Sequence, residues 1–132
     1  LDDLREVELI RDREAWAKVP PIVSQGIWER MVRERRWDVF PHGEGSADFR
    51  RRTVNAVEGI IMEHPGKRVV VVCHGGIINA YLAHILGTQA DMVFQPANTS
   101  VTVVNAGEGL RALQSLNDIT HLTTAEGSFH ST

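Results

Sequence analysis

The run Val69-Val70-Val71-Val72-Cys73-His74-Gly75-Gly76-Ile77-Ile78 constrains this chain more than any other stretch. Consecutive β-branched residues, apolar on both faces of an extended segment, predict a buried strand inside a parallel sheet. The apolar residues from about Gly76 to Leu86 predict a helix, with Gly87 as its C′ residue. This order sets an imidazole at the carboxyl end of a central strand, beside the unpaired N–H groups of a helix start. Open α/β sheets hold ligands in that place, and a helix N-terminus favours anions such as phosphate.

The rest of the chain supplies elements around that strand. Asp12–Lys18 predicts a short helix stopped by Pro20-Pro21. Ile22–Trp37 predicts an amphipathic helix, with Ile27, Met31 and either Trp28 or the Arg35 stem along one side. Asp38–Gly45 is a loop by its proline and glycines. Ser46 is the expected N-cap of the next helix, with Asp48 in its first turn. Phe49, Thr53, Val57, Ile60 and Ile61 then recur at helical spacing until Pro65-Gly66. Thr99–Val104 predicts a strand, and Asn105–Gly109 a hairpin turn into Leu110–Leu116. One domain over residues 1–122 is expected, followed by a small, polar, flexible tail over 123–132.

At 132 residues with 42% hydrophobic content, the chain can fill one modest core. A formal charge of -3 gives no general attraction to nucleic acid. Basic residues cluster locally, at Arg30, Arg33, Arg35 and Arg36 and again at Arg50–Arg52. Solvated helix faces are the favoured reading of such clusters, and an anion-binding face is the alternative. A single cysteine rules out an internal disulfide framework and fits a reducing, cytoplasmic setting. No stretch approaches the ~18 apolar residues of a membrane span, so no membrane partner is expected. The chain opens on Leu1 rather than Met, which suggests a processed, truncated or partial product.

His74 is the first candidate for chemistry. A histidine that only caps its helix is the plain alternative, but Gly75-Gly76 leaves the backbone open to a ligand, and a phosphate-contacting role is favoured. Cys73 does not fit a cysteine phosphatase, because Asn79 stands where the phosphate-cradling arginine belongs. It reads as a small buried residue of the strand. The six histidines offer no His-x-x-x-His pair, so no metal site is expected. Positions 75 to 80 miss the Gly-x-Gly-x-x-Gly fingerprint, which disfavours a dinucleotide.

Five segments in order resemble the histidine phosphatase superfamily, the phosphoglycerate-mutase-like family. Leu4-Arg5-Glu6-Val7-Glu8 is similar to its L-x-E segment. Pro41-His42-Gly43-Glu44 with Phe49 and Arg52 resembles its P-G-G-E-S loop and helix. Val71–Ile78 resembles its V-V-S-H-G-G-x-I strand and turn. Asn98–Val101 and Leu116–Leu122 resemble its closing strands. The resemblance implies an α/β three-layer sandwich with a mostly parallel sheet flanked by helices. It implies catalytic His74 and Glu6, the histidine as a cation on the transferring phosphoryl group and the glutamate as proton donor. Gly75, Glu44 and Asn98 would then lie at the substrate, although loop or turn roles are as good a reading for Glu44 and Asn98. No metal or organic cofactor is expected, and the partner is a small phosphorylated substrate.

The departures matter as much. The family opens on an Arg-His-Gly strand whose histidine takes the phosphoryl group, and no Arg-His-Gly occurs here. Gly45 and Cys73 stand where the family usually has serine. The expected reading is the carboxyl-terminal portion of a phosphohistidine phosphatase or mutase, incomplete at its N-terminus and inactive by itself. The alternative is a non-catalytic relative that binds a phosphorylated ligand or a protein. A sheet lacking a strand is expected to self-associate along its edge, with a homodimer left open.

Overall fold

Local caps decide where the helices begin and end. A computed structural model describes residues 1–122 of the chain, in two units that divide after Val93. In the first unit, the Asp12 carboxylate accepts the Ala15 N–H at 2.9 Å and starts α1, Arg13–Ala17. Pro21 opens α2, Pro21–Glu34, where its fixed φ costs nothing. Arg35, in the left-handed region at φ 55°, closes α2 by donating its N–H to Met31. The helix therefore stops short of Trp37, which turns inward in a 3-10 turn over Trp37–Val39.

The third helix, α3, spans Ser46–Glu63. Ser46 is its first helical residue rather than the expected cap, because its hydroxyl donates to Asp91. The Ser46 N–H is satisfied instead by the Asp38 carboxylate at 2.6 Å. The fourth helix, α4, spans Gly75–Leu86 and ends at Gly87 with φ 70°, as its sequence predicts. Tyr81 on α4 donates its hydroxyl to Glu58 on α3 at 2.7 Å.

The core of this unit gathers Met31, Trp37, Phe40, Phe49, Ile77 and Ala80. Trp28 meets Phe40 edge-on at 4.6 Å, so it extends the apolar side of α2 while partly exposed, and Arg35 is used as a cap. On α3, Phe49 and Thr53 are fully buried. Val57, Ile60 and Ile61 on its second half are only half-covered.

The valine run departs from expectation. Residues 67–74 form no strand, and Val70 and Val72 are 85% and 94% exposed. Val69 and Val71 are less exposed, at 43% and 39%, the two-residue alternation of an extended chain. Composition gives this segment strand propensity, but a strand also needs a neighbour to exchange backbone hydrogen bonds. Among the described residues none pairs with it, so the buried central strand is not formed.

The second unit, beginning at Phe94, holds the one sheet of the described residues. Strand β1, Val101–Gly107, pairs antiparallel with β2, Leu110–Asp118. The hairpin turns at Glu108-Gly109, where Gly109 takes φ 66°. The α/β class thus rests on four helices and a two-stranded antiparallel sheet among the described residues, and a mostly parallel sheet is not confirmed. The expected tail over 123–132 lies outside the described residues.

Candidate functional site

The N-terminus of α4 is the centre of the candidate site. His74 is its N-cap residue, and its carbonyl accepts the Ile77 and Ile78 N–H groups at 3.1 and 3.3 Å. The imidazole is exposed and makes no hydrogen bond among the described residues. Gly75 is the first helical residue, and its N–H has no acceptor among the described residues. A helix start leaves such donors pointing outward, ready for an anion.

Glu6 reaches this helix start from the opposite end of the unit, 70 positions away in sequence. Its Oε2 accepts the Gly76 N–H at 3.1 Å and its Oε1 accepts the Val7 N–H at 2.9 Å. Only glycine leaves room for this approach: a Cβ on residue 76 would stand 2.0 Å from Glu6 Oε1. A carboxylate is electrostatically favoured at that place by the helix dipole.

Arg52 on α3 fixes the segment that carries Glu6. Its guanidinium donates to the backbone oxygens of Asp3 and Arg5, both at 2.8 Å, and of Glu6 at 3.1 Å. It also grips Glu44 in a two-pronged pair at 2.6 and 2.9 Å, and lies 4.7 Å above the Phe49 ring. Glu44 in turn accepts the Glu8 N–H through Oε2 and donates its own backbone N–H to the Glu8 oxygen at 2.7 Å. The hydrogen bonds from Arg52 hold the Glu44 carboxyl below its ordinary range, against the opposing effect of burial. Gly43 lets the loop close on this segment, since a Cβ there would meet the Leu9 oxygen at 2.6 Å.

The arrangement brings His74, Gly75 and Glu6 to one helix start and puts Glu44 behind them, bonded to Arg52 rather than facing outward. Asn98 belongs to the second unit, ahead of β1. Cys73 is half-buried against the core. Burial, and then the nearby Glu6 charge, raise its thiol pKa, which keeps it protonated and unreactive. Its reading as an inert small residue fits, although the strand around it is absent.

Two roles escape sequence reasoning. Arg52 sits in a run of three arginines, and the sequence reading takes it up only as part of the resemblance to the family's loop and helix, with no role, although its spacing of three from Phe49 is a clue that it turns inward. Gly76 gives less sign of a role than Gly75, because nothing local announces a carboxylate 70 positions upstream. Among the described residues, no group of three or more His, Cys, Asp or Glu is placed to hold a metal ion. No helix there is long and apolar enough to cross a membrane.

Residues 2–119 match the family described as "Histidine phosphatase superfamily (branch 1)", a span that covers both units. A metal-independent phosphoserine phosphatase of Arabidopsis thaliana is 35% identical over 82 residues, 62% of this chain and 34% of that protein. The solved structure of Bacillus stearothermophilus YhfR is similar in fold, with a TM-score of 0.70 at 24% identity. It covers 92% of this chain, and the match takes up 61% of the YhfR chain. The chain thus spans about a third of the curated relative's length.

Proposed function

This chain belongs to the histidine phosphatase superfamily, and from that premise we propose that it carries the proton donor and one anion-holding cation of a phosphoryl-transfer site. The substrate class is a small phosphate ester, and hydrolysis is the favoured outcome, as the name of the Arabidopsis relative suggests. The observation that carries the proposal is the Glu6 carboxylate seated on the Gly76 N–H, at the helix start that His74 caps.

Phosphoryl transfer needs a nucleophile, positive charge around the equatorial oxygens and an acid for the departing oxygen. The His74 imidazolium and the free Gly75 N–H bind the phosphoryl oxygens. Protonated Glu6 gives its proton to the leaving alkoxide. The resulting carboxylate, the form that accepts the Gly76 and Val7 N–H groups, then takes a proton from the water that attacks the phosphoenzyme. The covalent nucleophile is a histidine outside these 132 residues, since no Arg-His-Gly occurs in them. The same absence favours a second reading, a relative that binds a phosphorylated ligand without turning it over.

Acid-labile labelling separates the two. The full-length protein is incubated with labelled phosphate esters, phosphoserine first, and quenched. A base-stable, acid-labile label that turns over slowly in Glu6→Gln supports the enzyme. Failure of any ester to label the full-length protein sinks it and leaves the binding relative.

A further inference from the structure

The two arginine clusters that the sequence leaves as solvated faces converge in space. Arg36, from the end of the first cluster, and Arg50 and Arg51, from the second, line one cavity of about 390 Å³. It lies on the side of α3 that carries Ala47, Val54 and Asn55, whereas Phe49 and Arg52 occupy the side toward Glu6. His84 near the end of α4 faces the same space. That volume falls within the range of small-molecule sites.

Three arginines line the cavity against one lining carboxylate, and two carboxylates outside the lining also pair with them, Asp38 with Arg36 and Asp48 with Arg51, both at 2.6 Å. Asp91 is the one carboxylate among the described residues that line it, and it is buried with its oxygens already used. Oδ2 accepts the Trp37 N–H at 2.8 Å and the Ser46 hydroxyl, with Arg36 Nε at 3.6 Å. Oδ1 faces Arg50 at 3.7 Å. Arg36 and Arg50 are also anchored to the backbone oxygens of Gln89, Thr88 and Ala90, so their guanidiniums are held in place before any ligand arrives. Arg51 is different. Its one carboxylate partner among the described residues is Asp48, three residues earlier, in a pair about two-thirds exposed on both sides. Such a pair contributes little, and Arg51 can exchange it for a better anion without loss.

We propose that this cavity is a binding site for a small phosphorylated molecule, separate from the helix start at His74. The anionic group takes Arg51 as its main partner, with the anchored guanidiniums of Arg36 and Arg50 beside it. Ala47 and Val54 give its organic body an apolar floor. This site binds and does not react, since its one hydroxyl beside a carboxylate, Ser46 on Asp91, is buried and committed to holding the start of α3.

Calorimetric titration of the 132-residue chain with inorganic pyrophosphate at low ionic strength is the test. Arg51→Gln removes one charge-assisted hydrogen-bond donor and should weaken binding about tenfold or more. Asn55→Asp, which adds a negative charge at the exposed edge, weakens binding as well. His74→Ala retains this site, which separates its fate from that of the proposed catalytic site. Arg33→Gln, an exposed arginine on α2 outside the cavity, changes nothing. The proposal is overturned if pyrophosphate does not bind, if Arg51→Gln binds as the parent does, if His74→Ala abolishes all binding, or if Arg33→Gln weakens binding as much as Arg51→Gln.

Discussion

Replacing Gly76 with alanine should uncouple acid catalysis from folding. The added Cβ would stand 2.0 Å from Glu6 Oε1 and 2.9 Å from its carboxyl carbon. Ordinary contact begins at 3.4 Å, so the carboxylate must retreat by about 1.4 Å. That distance breaks its bond to the residue 76 N–H, a charge-assisted contact of about 1.5–3 kcal/mol. Alanine at a helical position gives back up to about 1 kcal/mol, and the partly exposed carboxylate recovers water, so the melting temperature should move little. Catalysis has no such compensation, because a misplacement of about 1 Å costs on the order of a hundredfold. The assay is rapid-quench formation of the phosphoenzyme in the full-length protein with two esters. An alkyl phosphate, whose alkoxide needs a proton, should phosphorylate about a hundredfold more slowly. A nitrophenyl phosphate, whose phenolate leaves unaided, should be nearly unaffected at that step. Equal slowing of both esters, or of neither, refutes the placement of Glu6 as the acid.

Arg52→Ala leaves buried Glu44 without its cation and the Glu6 segment without its anchor, and should cost about 3–5 kcal/mol in denaturant unfolding. Arg52→Lys should recover only part of this, since an ammonium cannot make the two-pronged contact. Glu44 has a folded pKa held below an unfolded value of about 4.3. Its contribution is therefore complete above that pH and lost as pH falls through the depressed folded value, so Glu44→Gln should flatten the acid side of the stability curve. Val72→Lys should change the stability of this chain by less than about 0.5 kcal/mol, as its side chain is almost wholly exposed. A loss of several kcal/mol there would restore the buried strand.

The helices are legible because their signals are local. Asp12, Pro21, Pro65-Gly66 and Gly87 mark starts and stops that depend on a few neighbouring residues, and the structure keeps them within a residue or two. The hairpin is legible for the same reason, since Glu108-Gly109 turns on its own backbone geometry. The valine run misleads because burial and pairing are not local: Val69–Val72 state a preference, and only a partner strand can fulfil it. At the site, His74 and Glu6 emerge from an ordered set of motifs, while the contact through Gly76 is invisible in either segment alone. Ser46 reads as a cap from its neighbours, yet Asp91, 45 positions away, claims its hydroxyl.

The central claim is that His74, the Gly75 N–H and Glu6 together surround one phosphoryl group. Amide and side-chain NMR of the chain during titration with orthovanadate tests it most directly. The account predicts saturable shifts at the Gly75 and Gly76 amides, the His74 ring and the Glu6 carboxyl, with one shared affinity that His74→Ala weakens. Shifts confined to other residues, or no change at the α4 start at any vanadate concentration, would contradict it.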